Sequence, residues 1–164
     1  MVAGNAGPRR WPRRWPRHLL ALVAAWLLAS TWGSVVQTQF NLQALVALGV
    51  PMPPGLRALT TLQDLAGFAP VYAGILAAGW LPALSLATWL ARRWPTARTA
   101  LFTIAAGVGM MAAVRAVDAL APMPVFIDAT RDWPGLLSMA AGAALGGWLY
   151  ARLHALHAMT TPQR

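Results

Sequence analysis

PVYAGILAAGWLPALSLATWL, residues 70–90, contains no acidic or basic side chain and decides the fold class of this chain. A helix needs roughly 20 residues to cross a hydrocarbon core about 30 Å thick. Three further apolar runs of similar length lie at 19–36, 100–120 and 136–153. Because a helix satisfies its own backbone hydrogen bonds in lipid, the four runs predict an all-α membrane protein, a four-transmembrane-helix bundle.

Composition leaves no room for a separate soluble domain. The chain has 164 residues, of which 58% are hydrophobic and 10% charged. We predict one transmembrane domain over 18–153, preceded by a flexible basic segment, 1–17, and followed by a tail, 154–164. With no cysteine, disulfides and thiol chemistry are excluded.

The formal net charge of +9 comes entirely from arginine, which is typical of a GC-rich bacterial genome. These charges flank the apolar runs and form no basic face, so we expect no nucleic acid partner. Ten of them share one side of the predicted membrane: Arg9, Arg10, Arg13, Arg14, Arg17, Arg92, Arg93, Arg98, Arg152 and Arg164. The positive-inside rule therefore predicts a multi-pass protein of the bacterial inner membrane with both termini cytoplasmic. A cleaved signal peptide ending near Ser30 is the weaker alternative.

The tetrapeptide RRWP occurs at 9–12, 13–16 and 92–95. Tryptophan favours the headgroup layer, and arginine is attracted to anionic lipid. We expect these copies to anchor the protein to membrane lipids through Arg10, Trp11, Arg14, Trp15, Arg93 and Trp94.

A polar stripe follows one face of the first predicted span. Ser30, Ser34, Gln37 and Asn41 are separated by three or four residues, so they share a helix face. Such a face should turn toward other helices or toward a polar cavity. The pattern also allows this helix to continue to Leu48, before Gly49 and the prolines that follow.

Leucine recurs at every third position from 56 to 65, among polar residues. This pattern predicts a short periplasmic amphipathic helix over 56–68, which Gly67 and Pro70 would separate from the second span.

Small residues dominate the fourth span. Gly142 and Gly146 form a G-x-x-x-G pair, which lets two helix backbones approach closely. Contact within the bundle and a homodimer interface are equally consistent with this pair.

Arg115 and Asp118 are the charged residues that a predicted span contains before its last turn. Their spacing of three allows direct pairing, and Asp64 is expected at the same outer level. We predict a polar or ion site formed by these three residues, with an interfacial ion-pair network as the alternative interpretation.

No catalytic pattern and no cofactor-binding pattern is present, so we expect no enzyme activity and no cofactor. His18, His154 and His157 share the predicted cytoplasmic side. No carboxylate accompanies them there, so we expect no metal site.

The outer segments carry a family resemblance. They are WGSVVQTQFNL at 32–42, TTLQDLAGFAP at 60–70 and ATR at 129–131. With them the chain, from about 32 to 153, resembles small, uncharacterised multi-spanning inner-membrane proteins of proteobacteria. The resemblance implies no established activity.

Our leading functional hypothesis is a non-enzymatic accessory or scaffold subunit that packs against itself or a larger membrane complex. One alternative is a small transporter or channel with an outer-leaflet site at Arg115, Asp118 and Asp64. Another is a lipid- or quinone-binding protein with Trp80 and Met110–Met111 lining an apolar cleft.

Overall fold

The computed structural model describes residues 14–120 and 127–159, with side chains described for 18–120 and 127–154. Four long helices account for most of it: α1, Arg14–Ala47; α2, Pro54–Arg93; α3, Arg98–Leu120; and α4, Trp133–Met159. Short 3₁₀ turns lie at Pro95–Ala97 and Asp128–Thr130. The described part of the chain contains no strand.

Each helix packs against two others. α1 contacts α2 and α4, and α3 contacts the same two helices, so α1 and α3 stand at opposite corners of the bundle. Three segments are long and apolar enough to cross a membrane, namely His18–Ala47, Pro54–Arg93 and Pro95–Leu120. These features are those of an integral membrane protein. α4 completes the bundle between α1 and α3.

Local sequence explains where α1 ends and where α2 begins. Gly49 adopts a φ of +84°, and its N–H donates to the Val46 carbonyl while the Val50 N–H donates to Leu45. This pair of bonds is a Schellman motif, and it ends α1 where the sequence predicts. Pro54 occupies the first turn of α2, where its missing N–H costs nothing.

The separate amphipathic helix expected over 56–68 does not form, because α2 runs without interruption from Pro54 to Arg93. Pro70 lies inside the helix, where it removes one backbone hydrogen bond. Contacts on both sides of the proline offset that loss. The Phe68 ring stacks on Tyr72 at 5.9 Å between centroids, and Asp64 is bonded to α1.

Tryptophan side chains connect neighbouring helices through backbone carbonyls. The indole N–H of Trp26 donates to Ala73 (3.0 Å), and that of Trp80 donates to Ala106 (3.1 Å). Trp32 on α1 donates to the Ser138 carbonyl on α4 (2.9 Å). A satisfied indole N–H lets a large ring fill the interior at no polar cost. Trp80 thus packs against another helix.

Small residues allow the helices to approach closely. A Cβ atom on Gly79 of α2 would collide with the Gly109 carbonyl and with Ala113 of α3. On α4, Gly142 faces the Trp32 ring and Gly146 faces the Ala25 carbonyl. Both glycines of the G-x-x-x-G pair therefore contact α1 within the same chain, which favours the intramolecular interpretation of that pattern.

Among the described residues, α1 and α2 extend beyond α3 and α4 at one end. Gln37 of α1 contacts Ala129 in the connector that leads into α4. Ten residues of α1 follow Gln37 before the helix ends at Ala47. At 1.5 Å per residue the two helices project about 15 Å past the connector. We name residues 38–63 the α1–α2 overhang.

Candidate functional site

The polar side chains predicted on α1 lie where the overhang meets the bundle. Ser30, Ser34 and Thr38 are buried, Gln37 is half-buried and Asn41 is exposed. The stripe therefore turns toward the other helices along most of its length. Its last member, Asn41, lies on the overhang, where α3 and α4 no longer cover α1.

Thr38 connects this stripe to α2. Its Oγ1 lies 2.7 Å from Oδ2 of Asp64 and 2.9 Å from the Ser34 carbonyl oxygen, so one hydroxyl proton serves two acceptors. Three residues before Asp64 on α2, the Thr61 hydroxyl accepts a hydrogen bond of 3.1 Å from the Gln39 amide of α1. These are the side-chain hydrogen bonds between the two helices of the overhang.

Two buried hydroxyls beside this connection have no hydrogen-bond partner in the described residues. They are Oγ of Ser34 and Oη of Tyr72. Gly33 makes room for Tyr72, because a Cβ atom there would collide with the phenol ring. A buried hydroxyl without a partner costs about 1–3 kcal/mol. The polar stripe in the sequence predicted that Ser34 faces other helices, but no sequence pattern predicted that Tyr72 lies beside the stripe.

Gln37 holds the connector between α3 and α4. Its Oε1 accepts the Ala129 N–H at 2.8 Å, and the Thr130 hydroxyl donates to the Ile127 carbonyl at 2.7 Å. Ile127, Ala129 and Thr130 are buried. The glutamine thus fixes a buried loop against α1 through an otherwise unpaired backbone donor.

The cluster of Arg115, Asp118 and Asp64 stays a prediction, and the structure places its members on two helices, Asp64 on α2 and the other two on α3. Asp64 is bonded to α1, while Arg115 is exposed on α3 and shares no hydrogen bond or ion pair with it in the described part. Asp118 is half-buried. The ion pair described at this end joins Arg131 to Asp128 at 2.8 Å. The sequence placed the three residues at one level along the helices, but it did not determine on which face of its helix each residue lies.

A second group of polar side chains lies at the arginine-rich end, which we define by Arg92, Arg93 and Arg98. Arg98 Nη2 lies 2.8 Å from Nδ1 of His154, and the His154 ring stacks on His18 at 4.3 Å between centroids. The Tyr150 ring meets His154 edge-on at 6.0 Å. Nε of Arg98 is buried and has no partner in the described residues. We name His18, Arg98 and His154 the basic cluster.

The basic cluster lacks the composition of a metal site. Within the described side chains, no group of three or more His, Cys, Asp or Glu residues could hold a metal ion. The side chain that contacts His154 is that of Arg98, a cation that has no acceptor atom for a metal ion. His157 lies outside the described side chains, as do Arg14 and Trp15, and Arg10 and Trp11 lie outside the described residues. Arg93 and Trp94 are exposed where α2 ends.

An apolar groove of about 370 Å³ runs between α1 and α2 toward this end. Trp26 and Trp80 line its inner part, and Tyr150 of α4 lines its wall. The hydroxyls of Ser85 and Thr88 also line it, but each donates to a carbonyl of its own helix, Leu81 or Leu84. The groove therefore presents satisfied polar groups and apolar surface.

A second apolar groove, about 690 Å³, lies between α2 and α3 around Pro82 and the close contact of Gly79 with Gly109. Of the residues expected to line an apolar cleft, Trp80 lines the α1–α2 groove, whereas Met110 is fully buried in the core and Met111 packs against that core.

Between the two polar ends, the bundle interior is apolar. The buried layer there includes Ala25, Leu76, Trp80, Ala106 and Met110. The polar groups of the described residues therefore do not join into a continuous path from one end to the other.

Comparison of the chain with protein-family models, with curated proteins and with solved structures gives no match. The resemblance to proteobacterial inner-membrane proteins stays a prediction from the sequence.

Proposed function

We propose that this chain is a non-enzymatic accessory subunit of a bacterial inner-membrane complex, anchored by four spans and docking through its α1–α2 overhang. The observation that carries the proposal is the apolar surface of the overhang. Leu48 is 80% exposed, Leu62 65% and Leu59 52%. All three leucines lie on the part of the chain that projects past the bundle. Exposed leucines on a projecting element are typical of a protein interaction site.

The overhang has a built framework beneath this surface. Within residues 39–63 only Leu42 is buried, and the contacts of Gln39 with Thr61 and of Thr38 with Asp64 hold the two helices together. Such a hairpin can present leucines at fixed spacing to a groove or helix of a partner.

The partner we propose is a different membrane protein. The glycine pair of α4, which could have served a homodimer, contacts Trp32 and Ala25 of the same chain. Because these glycines already pack against α1 of the same chain, the G-x-x-x-G pair no longer gives a reason to expect self-association. A second copy of the chain is the other outcome that the experiment below separates.

The transporter alternative is less well supported. Transport of an ion requires polar groups across the membrane, and acids in such paths usually lie deep in the bilayer. Here Asp64 lies at one end of the bundle and an apolar layer follows it.

The test is site-specific photocrosslinking in native membranes, with the photoreactive residue at Leu59 or Leu62. We expect crosslinks to one heavier membrane protein, and none from the control position Leu137, which is equally exposed on α4. The double variant Leu59→Gln/Leu62→Gln should lose the partner in native mass spectrometry, and Gln63→Ala, exposed on the same helix, should keep it. A lone monomer would contradict the proposal, and a crosslinked species of twice the mass would replace it with self-association.

A further inference from the structure

The basic cluster and the α1–α2 groove are adjacent on α1 and α4, and the overhang proposal uses neither of them. Residues at i and i+4 share a helix face. His18 lies four residues before Leu22 of the groove on α1, and His154 lies four residues after Tyr150 on α4. The cluster thus continues the groove by about one turn, or 5.4 Å.

The third helix follows the same pattern. Arg92 lies four residues after Thr88, the last groove residue of α2, and its side chain is exposed. All three helices that line the groove therefore place a basic side chain one turn beyond it. Arg98 of α3 adds a fourth through its contact with His154.

The length of the groove matches one leaflet. Its lining on α2 extends from Ala77 to Thr88. Eleven steps of 1.5 Å give about 16 Å, close to half of a hydrocarbon core about 30 Å thick. A groove of this length, with basic side chains at one end, fits an extended acyl chain with its headgroup at the membrane surface.

The walls of the α1–α2 groove are suited to a lipid acyl chain. The indole N–H groups of Trp26 and Trp80 are already bonded to carbonyls of neighbouring helices, so their rings offer apolar faces alone. The basic cluster at the end of the groove is suited to an anionic headgroup. The Arg98 Nε–H is buried and without a partner in the described residues, and Arg98 is always charged.

We propose that the α1–α2 groove holds one acyl chain of an anionic phospholipid, whose phosphate is bound by Arg98 and His154 of the basic cluster with His18 beside them. Arginine matches phosphate oxygens with paired N–H donors, and the neighbouring imidazoles supply further donors. Specificity for an anionic headgroup comes from the cluster, and the position of the lipid comes from the groove.

The test uses the full chain reconstituted with phosphatidylglycerol or phosphatidylcholine carrying the same acyl chains, and native mass spectrometry counts the retained lipids. We expect one phosphatidylglycerol to be retained about fivefold more than phosphatidylcholine, as one interfacial cation contributes about that factor. Arg98→Gln should abolish the preference, and Arg131→Gln, at the opposite end, should leave it unchanged. Equal retention of the two lipids by the unaltered protein would overturn the proposal.

A matched pair of groove variants tests the tail. Ala77→Phe fills the α1–α2 groove, whereas Ala78→Phe places the same ring in the α2–α3 groove. We expect loss of the retained phosphatidylglycerol in the first variant only, with helical content and thermal midpoint checked in both. A thermal shift of the unaltered protein by phosphatidylglycerol gives a second readout, since a bound ligand stabilises the folded state.

Inorganic phosphate separates a lipid site from a simple anion site. We expect millimolar phosphate to leave the retained lipid in place, because phosphate lacks the chain that fills the groove. Displacement of the lipid by phosphate, or equal effects of Ala77→Phe and Ala78→Phe, would contradict the acyl-chain proposal.

Discussion

The overhang and the bundle interior are made from the same two helices, α1 and α2, but they are stabilised in different ways. In the bundle, small residues bring backbones together, as at Gly79 and Gly109, and buried rings fill the remaining space. In the overhang, side-chain hydrogen bonds such as that of Thr38 with Asp64 connect two largely exposed helices. The difference shows that one continuous helix can belong to a tightly packed core over part of its length and be largely exposed over the rest.

The largest expected effect tests close packing in the bundle. Gly79→Ala puts a methyl group against the Gly109 carbonyl and Ala113, and we expect a loss of about 2–3 kcal/mol from the free energy of unfolding. Gly74→Ala on the same helix meets open space and should gain up to about 1 kcal/mol through helix propensity. Denaturation in mixed micelles measures both. Equal effects at the two glycines would contradict the close α2–α3 contact.

A smaller effect is expected where the overhang meets the bundle. Thr38→Val removes the hydroxyl that contacts the Asp64 carboxylate, at a cost of about 1.5–3 kcal/mol. Because the overhang ends there, we expect faster hydrogen exchange across residues 39–63 and little change in α3. Thr103→Val provides the control, since that hydroxyl bonds only to a carbonyl of its own helix. Uniformly faster exchange in all four helices would show that the overhang is not a separate unit.

The smallest effect has the opposite sign. Tyr72→Phe removes a buried hydroxyl that has no partner in the described residues, so we expect stabilisation of about 1 kcal/mol. The ring itself stays in its contact with Gly33 and Phe68. Denaturation in mixed micelles again gives the value. Clear destabilisation would instead reveal that the hydroxyl binds a water molecule or another group.

Local sequence rules predicted the C-terminal end of α1 and the burial of the inner part of its polar stripe. Gly49 with the prolines after it defined the end, and the spacing of Ser30 and Ser34 defined the face. The rules failed at Pro70, where α2 continues through the proline with the Phe68–Tyr72 ring contact spanning it and the Asp64 hydrogen bond to α1 preceding it.

The candidate sites were harder to predict, because they depend on which helices become neighbours. The meeting of Arg98 with His154 joins residues 56 positions apart, and no local spacing encodes it. The same holds for Trp26 and Trp80, whose partners follow from the order of helices around the bundle. The spacing within one helix could be read from the sequence, whereas the neighbouring helix that each face contacts could not.

The connection between α1 and α2 has a consequence for biosynthesis. Between Ala47 and Pro54 the chain has one left-handed glycine followed by fixed proline geometry, and the two helices are hydrogen-bonded to each other about two turns from it, through Gln39 and Thr61. Such a connection gives the two segments little freedom to enter the bilayer independently. We expect the translocon to release them together as a preassembled hairpin, so that the orientation of the first segment also sets that of the second.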